Sequence, residues 1–407
     1  MNSRSPSQLE KQHAKIRRGH EFEDAFDQFY SLKEGLKEPI SITFMDQWNQ
    51  QEAGIDGGGV TKEFLTSVTS QAFAPDDEAL FVENDQHLLY PNPAIVNQLM
   101  DQMREYGITE TDSRWKSALT RLYQRYEFLG RIIGKCMYEG ILVDINFAPF
   151  FLLKWALTGG SGSSPKESGY RASINDLRDL DRALYDGLLQ LKNYPGNVED
   201  FSLNFTITDT INANKTITRD LKPDGSNIPV TNENRLVYIS YVARHRLVQQ
   251  PYVQTMYFLK GLSSMIEPSW LSMFNQSELQ TLISGTRSSI NIADLRRNTQ
   301  YGGLYVIGDD GLEHPTIQTF WNVVESFSEE EKAQLLKFVT STPRAPLLGF
   351  GSLNPHFSIR DSGNDESRLP STSTCVNLLK LPVYKNRAVL REKLLYAVNS
   401  GAGFDLS

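Results

Sequence analysis

Apolar positions along the chain change period several times, and each change predicts a new element. Phe22, Phe26, Phe29 and Tyr30 recur at helical spacing, so residues 21–36 read as a helix. Ile40, Ile42 and Phe44 alternate with Ser41 and Thr43, which predicts a short strand. LTRLYQRYEFLGRIIGKCMYEGIL (119–142) reads as a long, mostly buried helix. Leu177, Leu180, Leu184, Leu188 and Leu191 predict an amphipathic helix. Phe201, Leu203, Phe205 and Ile207 then alternate with polar residues, as in a half-buried strand. A turn at Asn212 to Lys215 returns the chain into TITRDL (216–221), a second strand. Residues 170–230 therefore form a small α+β insertion. Helical periodicity resumes over 232–283, with Pro251 and Pro268 as breakers.

The paired glycines of TQYGGLYVIGDD (299–310) mark a domain boundary. Beyond them, Ser328 and Glu331 are spaced as a capping box that opens a helix running to about Val339. VNLLKLPVY (376–384) is strand-like up to Pro382, and RAVLREKLLYAVNSG (387–401) is a final helix stopped by Gly401. TGGSGSSPKESG (158–169) has the composition of a flexible loop.

With 407 residues the chain has room for several folding units and needs no disulfides to staple a core. Its 41 basic and 49 acidic residues leave a net charge of -8, a poor match for a nucleic-acid backbone. The short basic cluster Lys11, Lys15, Arg17 and Arg18 is expected to be a solvated helix or tail within residues 1–20. No apolar signal region opens the chain, and FAPFFLLKWAL (147–157) is too short to span a bilayer. A soluble protein of the cytoplasm or nucleus is expected.

Two cysteines, Cys136 and Cys375, rule out a disulfide scaffold and a cysteine-based zinc site. The six histidines include no H-E-x-x-H pattern, and no metal or cofactor is expected. GIDGGGV (54–60) precedes a helix but lacks the Lys-Ser/Thr of a phosphate-binding loop, so it reads as a tight turn. Cys136, between Ile133 and Met137, reads as a small core hydrophobe. Cys375 differs, because it follows the polar stretch RLPSTST (368–374) and precedes an apolar strand, which leaves its thiol partly exposed. At an ordinary thiol pKa of about 8.5, a few per cent is thiolate at neutral pH, enough for exchange with a thioester. A cysteine hydrolase would need a positioned histidine. His314 and His356 are nearest in sequence, and spacing alone leaves that alternative open.

RLPSTSTCVNLLKLP (368–382), with the tail GFDLS (403–407), resembles the active-site segment of HECT ubiquitin ligases. IDGGGVTKEF (55–64), LYPNP (89–93), FLGRIIGKCMYEGILVDINFAPFF (128–151), KPDGSNIPVTNENR (222–235), ELQTLISG (278–285), YGGL (301–304) and FVTSTPRAPLLGF (338–350) resemble further landmarks of that family, in the same order. LNFT, IPVTNENR and AGFDLS look most like the proteasome-associated branch.

The resemblance implies an α+β, bilobal HECT domain. A large, mainly helical N-lobe (21–300) would carry the small E2-binding subdomain (170–230), followed by a hinge at Gly302 and Gly303 and a small α+β C-lobe (304–407). Cys375 would accept ubiquitin from a ubiquitin-conjugating enzyme (E2) and pass it to a lysine of a substrate or of ubiquitin. Thr374 would help hold the thioester carbonyl, Phe404 would fix the transfer geometry, and Asp405 would orient or deprotonate the lysine. Leu184, Leu188, Tyr194, Phe201, Leu203 and Tyr238 would line the E2 groove, although apolar residues at such spacing also serve simply as core. Implied partners are the E2, ubiquitin, protein substrates and the proteasome. Val376 and Ser373 stand where many relatives have Phe and His, so a histidine-assisted thiol is not expected. The alternative is a catalytically decayed scaffold that binds ubiquitin or E2.

Overall fold

The computed structural model describes residues 12–52, 59–76, 79–157, 170–286 and 288–400. Its first segment is a strand. In β1 (Gln12–Arg17) Ala14 and Ile16 alternate inward and pair in parallel with Ile42 and Phe44 of β2 (Ile40–Met45). Arg17 binds the Asp24 carboxylate at 2.6 Å, and Arg18 reaches Glu52 and Glu63, each at 2.7 Å. The basic cluster, expected as a solvated helix or tail, is thus a paired strand over the described residues, because its alternate positions are apolar and its arginines have carboxylates to meet. Between the two strands run α1 (Glu21–Phe29) and a 3-10 turn, Tyr30–Lys37. They bury Phe22, Phe26 and Phe29 as the helical spacing predicts.

The chain continues through α2 (Gly59–Ala72), the β3 (Phe81–Glu83) and β4 (Leu89–Pro91) hairpin, α3 (Ile95–Glu105) and α4 (Ser113–Glu139). Pro149 opens α5 (Pro149–Ala156), where its missing N–H costs nothing. The insertion supplies α6 (Arg182–Asn193), capped by the Asp181 side chain, and the antiparallel pair β5 (Thr206–Asn212) and β6 (Lys215–Asp220). Helices α7 (Arg235–Arg244), α8 (Tyr252–Met265), α9 (Pro268–Leu271), α10 (Gln276–Ser284) and α11 (Ile292–Arg297) follow. Next come β7 (Gln300–Gly302), α12 (Pro315–Glu325), α13 (Glu329–Thr340), β8 (Ser358–Asp361), β9 (Ser371–Ser373), β10 (Leu378–Leu381) and α14 (Arg387–Ser400).

Two stretches depart from the expected pattern inside the insertion. The alternation over Phe201–Ile207 becomes strand only from Thr206. Asn197 caps a 3-10 turn, Val198–Phe201, and Ser202 takes a left-handed φ of 52°, which turns the chain before it extends. The leucine stripe is split in the same way. Leu177 belongs to a 3-10 turn capped by Ser173, and Asp181 starts α6 afresh.

The described residues divide into two units, one drawn from residues 12–71, 135–144 and 281–400, the other from residues 72–134 and 145–280. The second is built round a cluster of rings in which Phe81 meets Phe258 at 5.6 Å and Phe147 meets Trp155 at 5.2 Å. In it α4 and α8 touch backbone to backbone, since a Cβ on Gly261 would sit 1.8 Å from the Glu127 carbonyl oxygen. The first unit contains a four-stranded sheet in the order β7-β8-β10-β9, parallel except for β9. Ile359, Leu379 and Leu381 of this sheet are buried with Ile317 and Phe320 of α12, Leu335 and Val339 of α13, and Leu390 and Leu394 of α14. The capping box opens α13 as expected, with Glu331 N–H donating to Ser328 Oγ at 3.1 Å and Ser328 N–H to Glu331 Oε2 at 2.8 Å.

Gly302 closes β7, paired with Arg360 of β8. Gly303 has φ +60°, and a Cβ there would lie 1.9 Å from Asp361 Oδ1, which accepts the Leu304 N–H at 2.8 Å. These contacts require a glycine at 303, whereas a Cβ on Gly302 would meet only the Arg360 side chain, at 3.7 Å.

Candidate active site at the Cys375 turn

Cys375 sits in the turn of a tight hairpin at the edge of the sheet. Strands β9 and β10 pair antiparallel with Ser373 opposite Leu378, and Thr374–Val376 form a single 3-10 turn between them. Asn377 closes the turn in the left-handed region, φ 51° and ψ 41°, a conformation Asn tolerates better than most residues. Its N–H donates to the Thr374 carbonyl at 3.3 Å. The STCVN sequence thus bends the chain just where the thiol is carried.

Beneath the turn lies a lysine. Lys62 of α2 is only 5% exposed, and its ammonium donates to the carbonyl oxygens of Thr340 and Thr374, each at 2.9 Å, and to Asn377 Oδ1. Thr340 is the last residue of α13, where helix carbonyls lack intrahelical partners and favour a cation. Asn377, 0% exposed, also donates from Nδ2 to the Pro355 carbonyl at 2.6 Å.

The two thiols differ as expected. Cys136 is buried in α4, and that burial pushes its pKa up to about 12. Cys375 is partly exposed; burial raises its pKa, Glu63 raises it further and Lys62 opposes the rise. Among the described residues the charges that act on the Cys375 thiol are Glu63 and Lys62, not a histidine. His314 caps α12, its Nδ1 accepting the Thr316 N–H at 3.1 Å, while His356 Nδ1 is buried without a partner. Among the described residues no group of three or more His, Cys, Asp or Glu side chains is placed to hold a metal ion. Nor is any described helix long and apolar enough to cross a membrane.

Residues 66–407 match the family model described as HECT-domain (ubiquitin-transferase). The chain belongs to the HECT family. A probable E3 ubiquitin protein ligase of Schizosaccharomyces pombe is 46% identical over 97% of this chain and 35% of its own length. The E3 ubiquitin-protein ligase HUL5 of Saccharomyces cerevisiae is 42% identical over 98% of this chain and 40% of its own. The human ubiquitin-protein ligase E3B is 36% identical over 97% and 36% respectively. The chain therefore spans well under half the length of these relatives. Its mixture of helices and small sheets is the α+β HECT fold expected from the sequence.

Within this HECT domain, Thr374 and Cys375 share one turn, whereas Phe404 and Asp405 lie outside the described residues. The six groove residues fall in the insertion and on α7, but not alike. Leu188 is buried in the subdomain core, and Leu184, Leu203, Tyr194 and Tyr238 are half-buried. Phe201 is 49% exposed and stands edge-on to Tyr194, ring centres 4.7 Å apart. Arg235 binds the Tyr194 carbonyl at 2.7 Å, which ties this aromatic pair to the start of α7. There Leu236 and Val237 are 58% and 47% exposed, two apolar side chains that spacing alone did not single out.

Neither Lys62 nor Asn377 stands out in the sequence. The signal for Lys62 is a lysine on the buried face of α2, three and seven places before the buried Leu65 and Thr69. It lies just ahead of the residues matched by the family model.

Proposed function

We propose that this chain is the catalytic part of an E3 ubiquitin-protein ligase in which Cys375 carries ubiquitin as a thioester. The carrying observation is the contrast of thiols: Cys375 in a partly exposed hairpin turn, Cys136 buried with its pKa pushed to about 12. The relatives' names, E3 ubiquitin-protein ligases, support the same reading.

In the first step the Cys375 thiolate attacks the carbonyl carbon of the thioester joining ubiquitin to an E2 cysteine. The E2 sulfur leaves as thiolate, and ubiquitin remains on Sγ. In the second, the amine of a lysine on a substrate or on ubiquitin attacks this new thioester. Its proton passes to a base, the Cys375 thiolate leaves, and an isopeptide bond remains. The Thr374 hydroxyl is assigned to the thioester carbonyl, Phe404 to the packing that fixes transfer geometry, and Asp405 to orienting the lysine and taking its proton.

The E2 docks on the insertion, with Phe201 and Tyr194 as aromatic contacts, Leu184, Leu203 and Tyr238 around them and Leu188 as support. Residues 21–300 act as the N-lobe and 304–407 as the C-lobe, with 301–303, Gly302 and Gly303 included, as the hinge between them. Work in the cytoplasm or nucleus and a proteasome partner complete the proposal and rest on the resemblance alone. The test is transfer from E2 charged with labelled ubiquitin, read as a reductant-sensitive adduct that disappears in Cys375→Ala.

A further inference from the structure

Lys62 is a buried cation that, among the described residues, no carboxylate hydrogen-bonds. Its three N–H groups meet three neutral acceptors, two of them, Thr374 O and Asn377 Oδ1, in the four-residue turn that carries Cys375. An ammonium has three donors and no acceptor, so this set satisfies it fully by geometry while leaving its charge unbalanced. The neighbouring Glu63 is occupied by Arg18 at 2.7 Å.

We propose that Lys62 is a positioning residue for Cys375: its ammonium fixes the turn that holds the thiol and serves as the counter-charge of the thiolate. The inference rests on the reading of Cys375 as the ubiquitin acceptor and adds a residue that prepares it. Two helices pack on the turn. Helix α2 presents Lys62 and Glu63, the charged groups among the described residues that act on the thiol, and α13 presents its C-terminal carbonyl. Within the turn, Asn377 presents a neutral amide. Glu63 disfavours the thiolate and Lys62 favours it, and burial, which lowers Lys62 to about 8, is opposed by the charge of Cys375. The coupling is mutual, as linkage requires. When Cys375 becomes a thioester its negative charge vanishes, and Lys62 keeps only its role of holding the turn in place for the second step.

The experiment measures the pH dependence of Cys375 alkylation by iodoacetamide, followed by peptide mass, in the full chain carrying Lys62, Lys62→Arg or Lys62→Met. At neutral pH, where Lys62 still carries its proton, alkylation and thioester formation should be severalfold slower in Lys62→Met than in wild type, and the two profiles should converge above about pH 8 as Lys62 loses its own charge. Lys62→Arg, charged throughout, should keep the neutral-pH rate and have the lowest midpoint. A purely structural lysine would change the alkylation rate by the same factor at every pH. A second arm needs no folded Lys62→Met: the titration of Lys62, followed by NMR of carbon-13 labelled lysine and assigned with Lys62→Arg, is compared in wild type and Cys375→Ala. Its midpoint should fall when the thiolate is removed. A rate ratio between wild type and Lys62→Met that does not change with pH, together with an unshifted Lys62 midpoint, overturns the proposal. A wild-type chain that forms no adduct from charged E2 would instead overturn the ligase reading, so the two failures are distinguishable.

Discussion

Asn377 holds Lys62 with one end of its amide and the backbone of Pro355 with the other, Oδ1 accepting from Nζ and Nδ2 donating at 2.6 Å. The side chain is buried, so neither bond competes with water. Asn377→Ala removes both and leaves the lysine and a carbonyl short of a partner. The expected cost is about 2 kcal/mol, read as a lower midpoint in urea unfolding. Asn377→Asp should behave differently: a carboxylate beside Lys62 gives it a counter-ion but cannot donate to the Pro355 carbonyl, so it recovers only part of the melt and slows thioester formation by competing with the thiolate. An alkylation profile identical to wild type in Asn377→Asp would contradict this account of the turn.

Lys62 also gives the fold a pH signature. Its folded value, about 8, lies below its ordinary 10.5 because of burial. Between those values the unfolded chain binds the extra proton, so the stability due to Lys62 rises with pH across this window. The difference in unfolding free energy between wild type and Lys62→Met should therefore grow from about pH 8 to pH 10. Urea titrations at several pH values measure it, and a difference that stays flat or shrinks would count against the buried ammonium.

Cys136→Ala tests the other thiol. Its sulfur is buried in α4, so the loss is one of packing, on the order of 1 kcal/mol. The ubiquitin adduct should form at the wild-type rate. An abolished adduct with an unchanged melting curve would show that the buried thiol has a chemical role after all.

For the E2 surface, exposure decides which substitution is informative. Phe201→Ala removes a half-exposed ring from the Tyr194 pair and should weaken E2 binding at least tenfold in a titration, with little change in melting. Leu188→Asp places a charge in the subdomain core and should lower the melting temperature first. Full E2 affinity in Phe201→Ala would move the contact to another surface, with Leu236 and Val237 the next to test.

Much of this was legible along the chain, and the exceptions share a cause. Helix α4, the Ser328 and Glu331 cap and the return turn at Asn212 follow from local patterns, and local patterns survive folding. Alternation predicts strand at Phe201 because it ignores caps; Asn197 and the left-handed Ser202 override it. Arg17 and Arg18 stay at least partly solvated, as the basic cluster predicts, but they lie at the end of a strand rather than in a helix or tail, and their acceptors, Asp24, Glu52 and Glu63, come from other elements. Cys375 was legible because a polar turn before an apolar strand exposes a thiol whatever the tertiary context. Lys62 was not, since its Thr374 acceptor lies 312 residues further along the chain.

The central claim is that Cys375 carries ubiquitin, and single-turnover discharge tests it most directly. E2 charged with labelled ubiquitin is mixed with the chain, quenched, and resolved with and without reductant. The account predicts a reductant-sensitive adduct in wild type and in Cys136→Ala, and none in Cys375→Ala. An adduct that persists in Cys375→Ala, or none in wild type despite measurable E2 binding, would contradict it.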